Sequence, residues 1–158
     1  MIRFAVDRML GKLARWLRVL GYDTFYDSDL PFEELVERSR GEGRVLVTRN
    51  SKVKESPGVD EFLLLRSERF DEQLRTLAET FFLDLESYRF SRCTKCNTKV
   101  VTVDREKVRD LVPPKSYAGY TQFYQCPSCQ KVYWDGTHVQ NTLKRLGRIF
   151  PNVTTASE

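Results

Sequence analysis

Four cysteines in two close pairs, Cys93-Thr94-Lys95-Cys96 and Cys126-Pro127-Ser128-Cys129, constrain this chain more than any other feature. Two residues separate the members of each pair, and 29 residues separate the pairs. That spacing lets two short turns present four thiolates tetrahedrally to one ion, which is the requirement of a structural zinc site. Asn97 follows the first pair, and Asn tolerates the left-handed backbone such a turn tends to need. A bound Zn²⁺ contributes on the order of 10 kcal/mol to folding a segment too small to bury much core. The competing readings are two disulfides or a redox Cys-x-x-Cys. The chain opens with no signal-peptide pattern, and the first pair lacks the strand-then-helix context of a thioredoxin motif. Four protein thiolates leave no open coordination position, so the expected zinc is structural and not a catalyst.

The 158 residues suffice for one ordinary domain or two small ones. A hydrophobic fraction of 41% with 30% charged residues describes a globular chain and excludes a disordered one. No apolar run approaches membrane-span length, and a reducing, cytoplasmic compartment is the expectation. The net charge of +4 is unevenly distributed. Residues 1–90 carry 15 Lys/Arg against 17 Asp/Glu, whereas residues 91–158 carry 11 against 5. The cysteine-bearing half is therefore the basic half, which suits a polyanion without demanding one.

Short apolar runs alternate with helical patterns over the first 85 or so residues. Ile2 to Val6 reads as a strand, Leu10 to Leu20 as an amphipathic helix, and Asp23 to Tyr26 as a short strand. A helix is expected from Phe32 to Arg40, strands at Arg44 to Thr48 and Phe62 to Leu65, and a helix from Ser67 to Thr80. Strands alternating with helices imply a mainly parallel sheet covered on both sides. Ligands of such sheets bind beyond the carboxyl ends of the strands. The composition shifts near Tyr88, giving an expected α/β domain over 1–87, a zinc ribbon with a C-terminal helix over 88–150, and a frayed tail over 151–158. Within the ribbon, residues 112–125 read as a loop entering an aromatic strand and Val132-Tyr133-Trp134 as a last strand. Thr137 is placed to cap the final helix.

Asp7 falls at the carboxyl end of the first expected strand, where a carboxylate can hold a divalent metal, position water or merely cap the next helix. Arg8, Lys12, Arg15 and Arg18 recur at spacings of four, three and three, gathering on one helix face opposite Leu10, Leu13, Ala14 and Leu17. Four cations without an anion suit a phosphate backbone, although a charged face is ordinarily just solvated. Arg49 and Asn50 end the second strong strand: Arg49 is a phosphate-binding candidate, and Asn50 a weak metal ligand or a turn residue. Asp27, Asp29, Glu33, Glu34 and Glu37 lie between, most of them expected to be solvated. His138, the one histidine, reads on its own as a packed or capping residue after the ribbon. Tyr117, Tyr120, Tyr124, Tyr133 and Trp134 could stack on unpaired bases, but core is the expected place for most of them.

The run from Asp7 to Arg18 (DRMLGKLARWLR), followed by Leu20-Gly21-Tyr22-Asp23, resembles the opening of a PIN-like ribonuclease family with a C-terminal zinc ribbon. That domain also ends mutator-type 3′–5′ exonucleases. The resemblance continues through Gly43 to Arg49 (GRVLVTR), Gln73-Leu74 and both cysteine pairs, and closes on Val132 to His138 (VYWDGTH). It covers residues 2 to about 148. It implies a PIN-like three-layer α/β fold and a Mg²⁺- or Mn²⁺-dependent RNase site in which carboxylates hold metal ions that activate water. Asp7 matches the family's first acidic position. Two positions depart: Asn50 and Phe32 stand where the family usually has Asp, with Glu33 and Glu34 following Phe32. The catalytic candidates are thus Asp7, Asp29, Glu33, Glu34 and Asn50. The RNA-binding candidates are Arg8, Lys12, Arg15, Arg18, Arg49 and His138.

Three functions compete. The first is a metal-dependent ribonuclease hydrolysing phosphodiester bonds of RNA, single-stranded by expectation, with the ribbon helping to grip it. The second is a catalytically degenerate RNA-binding module, which Asn50 and Phe32 favour. The third is an adaptor that docks an unspecified protein through the ribbon.

Overall fold

Phe4-Ala5-Val6 forms β1 (Phe4–Val6) as a strand buried on both faces, and the rest of the first unit is built around it. The computed structural model describes residues 1–152. The chain divides into two compact units, Met1–Phe90 and Ser91–Glu158. The expected tail of 151–158 lies, from residue 153 on, outside the described residues.

In the first unit β1 is followed by a 3-10 turn at Arg8–Leu10 and by α1 (Gly11–Val19). Then come β2 (Thr24–Phe25), α2 (Phe32–Glu42), β3 (Val45–Thr48), a 3-10 turn at Ser51–Glu55, β4 (Phe62–Leu64) and α3 (Phe70–Phe81). All strand pairs are parallel, in the order β2-β1-β3-β4. Ala5 and Leu46 face Leu35 and Val36 of α2, together with Val53. Phe4, pointing the other way by strand alternation, meets Tyr22 and Phe81 edge-on at ring distances of 5.9 Å. With α1 beside α3 on that second face, the unit has helix, sheet and helix layers. Buried on both faces, the central strands consist of apolar runs and not alternating ones, as their sequences indicate.

The sequence-expected elements are all present in this unit, with small shifts at their ends. α3 starts at Phe70 and not Ser67 because the Ser67 hydroxyl accepts the Arg69 N–H at 3.0 Å, forming a turn ahead of the helix. Gly21 has φ +97, and a Cβ there would stand 2.3 Å from the Tyr88 carbonyl oxygen, so only glycine permits this closure. The Phe90 N–H bonds Val19 O at 2.7 Å, which ties 88–90 to the first unit. At the amino end of the sheet Arg44, nearly buried, binds Phe4 O, Asp23 O, the Asp23 carboxylate and Glu42, stitching three strand starts together.

The second unit holds β5 (Val101–Val103), α4 (Pro114–Gly119), β6 (Phe123–Gln125), β7 (Val132–Tyr133) and α5 (Thr137–Ile149). Its three strands are antiparallel in the order β5-β6-β7. Phe123, Val132, Val108 and Val112 close a small core on one face of this sheet. Two expectations change here. Residues 112–125 do end in a strand, β6, but α4 occupies part of the expected loop before it, after a 3-10 turn at Arg105–Leu111, because Pro113-Pro114 starts a helix as readily as it stops one. Thr137 is the first helical residue of α5, and Gly136 stands at the cap position without a side-chain bond.

Candidate active edge and four-cysteine centre

The order β2-β1-β3-β4 reverses direction at β1: the chain leaves β1 toward β2, then crosses back over it to β3. α1 and α2 therefore depart on opposite faces, which makes the carboxyl ends of β1 and β3 the switch point beyond which open α/β sheets bind ligands. Asp7 and Thr48-Arg49-Asn50 sit at those two ends. Asp7, 8% exposed, is anchored through its backbone N–H to Val47 O at 2.9 Å. Its Oδ2 accepts a 2.6 Å hydrogen bond from Thr48 Oγ1, which in turn accepts the Asn50 N–H at 2.9 Å. Because that N–H occupies a lone pair of the hydroxyl, its single proton is directed at the carboxylate. Among the described residues no protein donor reaches Asp7 Oδ1, which leaves that oxygen for water or a cation.

The neighbouring loop is clamped to this turn. Tyr26 Oη donates to Arg8 O at 2.6 Å, and a Cβ at Gly11 would meet that hydroxyl at 2.7 Å. The loop after β2 carries Asp29, whose N–H bonds Asp27 Oδ1, and leads to Glu33 and Glu34 in the first turn of α2. All three carboxylates are exposed, and no hydrogen bond or ion pair joins them to Asp7. The Asn50 side chain is placed differently from a metal ligand: its Oδ1 accepts the Lys52 N–H at 3.0 Å and caps the 3-10 turn. Its turn role, one of the two readings of the sequence, is the one the geometry displays.

The cationic face is smaller than its spacing suggests. Arg8, Lys12 and Arg15 are exposed, with Lys12 Nζ 4.6 Å above the Phe70 ring. Arg18 is a correction: it is only 7% exposed, and its Nε donates to Thr24 O at 3.0 Å. The fourth cation lies one turn too far along α1, where the helix is covered, so it ties the helix to β2 instead of facing solvent. Arg49, partly exposed, reaches Arg66 O at 3.3 Å and lies 3.8 Å from Glu68. His138 is exposed and meets Trp134 edge-on at 5.9 Å.

In the second unit the four cysteines are free, and their Sγ atoms all lie within 4.8 Å of one another. The two turns are built alike. Asn97 N bonds Cys93 O and Gln130 N bonds Cys126 O, both at 2.9 Å, with Asn97 at φ 70 and Gln130 at φ 68. Asn97 fulfils its expectation; Gln130, in the equivalent place, carries no glycine or asparagine signal. Tyr133 Oη donates to Cys93 Sγ at 3.1 Å. Burial raises the Cys93 pKa, but that bond and the backbone N–H groups of Cys96 and Lys95 outweigh it and bring the thiol down to about 7. Cys96 is pushed up to about 12, by its bond with Cys129 first and then by burial and the neighbouring thiolates. Four thiolates this close need a cation, so the donor set is consistent with a structural zinc. Among the described residues this is the one place where three or more Cys, His, Asp or Glu ligand atoms gather.

Comparison with family models matches residues 2–146 to the Mut7-C RNAse domain. The chain belongs to the Mut7-C RNAse domain family. The match spans both units, so sheet edge and cysteine centre are parts of one family domain. Membership implies a ribonuclease and hence an RNA substrate. A comparison with the curated proteins found no match. No helix among the described residues is long and apolar enough to cross a membrane.

Proposed function

We propose that this Mut7-C domain is a metal-assisted ribonuclease that hydrolyses single-stranded RNA beyond the carboxyl ends of β1 and β3. The observation that carries this reading is the Asn50 N–H, Thr48 hydroxyl and Asp7 carboxylate chain, which fixes one carboxylate at the topological switch point. Arg8, Lys12 and Arg15 on the adjoining turn and helix, with Arg49 after β3, supply cations for phosphates passing that carboxylate. Asp29, Glu33 and Glu34, on the segment that Tyr26 clamps nearby, are the remaining acidic candidates.

The residues fit a metal site completed by substrate rather than a preformed cage. Mg²⁺ is held by one or two carboxylates plus phosphates and retained waters, and Asp7 supplies one carboxylate with an oxygen to spare. A bound Mg²⁺ or Mn²⁺ there would neutralise phosphate charge and lower the pKa of an attacking water. Thr48 orients Asp7, and Arg8, Lys12, Arg15 and Arg49 align the strand. At the cysteine centre Zn²⁺ is the proposed ion, in a structural role.

A second reading, a degenerate RNA-binding module, is favoured by one observation: Asn50 stands at the strand end as a cap and brings no negative charge. Cleavage of labelled single-stranded RNA with Mn²⁺ or Mg²⁺ separates the two. The enzyme reading expects slow cleavage that Asp7→Asn abolishes while RNA binding persists. Native protein that binds RNA and never cleaves it supports the module, and cleavage surviving Asp7→Asn overturns the assignment of the site.

A further inference from the structure

The sheet of the second unit has two unlike faces. Register pairs Val103 with Phe123 and Gln125 with Val132, and Phe123 and Val132 belong to the small core. Tyr117, Tyr120 and Trp134 pack against that same core, so they are committed to the inside. Strand alternation sends the intervening row, Thr102, Tyr124 and Tyr133, to the opposite face, one residue from each strand, directly paired across the ladder. Thr102 is exposed and both tyrosines are half-buried. Lys131, two residues before Tyr133 and exposed, holds its ammonium 5.1 Å from the Tyr133 ring. The Tyr133 hydroxyl is occupied by Cys93 Sγ and the Thr94 N–H, which locks the ring in place through the cysteine turn.

We propose that this Thr102–Tyr124–Tyr133 row, with Lys131, is a stacking platform for single-stranded RNA, a second contact separate from the sheet edge at Asp7. The inference rests on the reading of the chain as an RNA-binding ribonuclease. The aromatic ring of Tyr124 offers a sequence-tolerant π-face to an unpaired base, which a base-paired duplex cannot present. Lys131 supplies a cation beside it for the neighbouring phosphate, and the excess of 11 Lys/Arg over 5 Asp/Glu in residues 91–158 favours a polyanion over an acid-poor or basic partner. Tyr133, directly paired with Tyr124 and held by the cysteine turn, gives the row one ring that is ordered before RNA arrives, so less side-chain freedom is lost there on binding.

The test uses the zinc-loaded full chain and fluorescence anisotropy with a labelled oligouridylate, with duplex RNA as a second probe. Tyr124→Ala should weaken oligouridylate binding about tenfold, the loss of roughly one stacked base, and Tyr124→Phe should restore it. Lys131→Ala should lower the slope of log affinity against log salt by about 0.7, one phosphate contact on a single strand. Zinc content is measured in each variant, so that a collapsed ribbon is recognised; Tyr133 is left unaltered because it supports the cysteine turn. A native chain that binds RNA in a salt-dependent way but is indifferent to Tyr124→Ala, or prefers duplex, overturns the platform while leaving the ribonuclease reading intact. A native chain with no RNA affinity removes both. Rescue by Phe distinguishes stacking from a hydroxyl contact, and failure of that rescue also counts against the platform.

Discussion

Thr48 Oγ1 lies 2.6 Å from Asp7 Oδ2, joining the ends of two adjacent parallel strands through side chains 41 residues apart in sequence. The bond is buried, and its donor is itself held by the Asn50 N–H. Thr48→Val keeps the shape but removes the donor and leaves two polar partners unsatisfied, which should cost about 1–3 kcal/mol in urea unfolding. Thr48→Ser should retain most of that stability. RNA cleavage should fall in the Val variant and persist in the Ser variant, because only the latter still orients the carboxylate.

Gly11 and Tyr26 should behave as a coupled pair. Gly11→Ala places a Cβ 2.7 Å from Tyr26 Oη and should destabilise the chain by about 1–3 kcal/mol through overpacking. In a Tyr26→Phe background the same substitution should cost less, since the obstructing oxygen is gone. A double-mutant cycle by chemical denaturation measures the coupling, expected at about 0.5 kcal/mol or more. Additive effects would show that the two loops are not clamped together there.

Arg15 and Arg18, three residues apart on α1, should separate binding from stability. Arg18→Ala removes a buried charged donor from Thr24 O and should lower unfolding free energy by about 2 kcal/mol. Arg15→Ala should leave stability within about 0.5 kcal/mol. Its effect should instead appear as weaker RNA binding and a shallower salt dependence. Loss of stability at Arg15 and none at Arg18 would reverse the assignment of the two faces.

The cysteine centre should carry about one Zn²⁺ per chain, read by metal analysis of protein purified in reducing buffer. Chelation, or Cys93→Ser, should expose the 91–152 backbone to hydrogen exchange, because four crowded thiols without an ion repel one another as they ionise. Protein that lacks zinc and keeps full protection in that segment would contradict the structural role.

Asn50→Asp is a clean probe of the acidic site. Aspartate caps a helical turn as well as asparagine does, so the Lys52 N–H keeps its acceptor and stability should change by only a few tenths of a kcal/mol. Any rise in Mn²⁺-supported cleavage would then report the added negative ligand. An unchanged rate would place the metal away from the end of β3.

The cysteine spacing alone determined the four-thiol cluster, since two short turns of that length have few other ways to gather four sulfurs. The strands and helices of the first unit were equally legible, because a parallel sheet buried on both faces requires unbroken apolar runs between helical patterns. Asp7 and Asn50 could be placed at strand ends from sequence. Their partners could not: Thr48 reaches Asp7 only because β1 and β3 lie side by side in register. Arg18 illustrates the same limit, as helical spacing groups it with Arg8, Lys12 and Arg15 while the packing of α1 on its neighbours covers it. In the ribbon five aromatic residues look alike in sequence, yet strand register sends Tyr124 and Tyr133 to one face, while α4 and its end bring Tyr117 and Tyr120, with Trp134 after β7, against the core. Local chemistry is written in the sequence because it depends on near neighbours; which side chains meet across the fold depends on long-range pairing, and that is decided only when the sheets form.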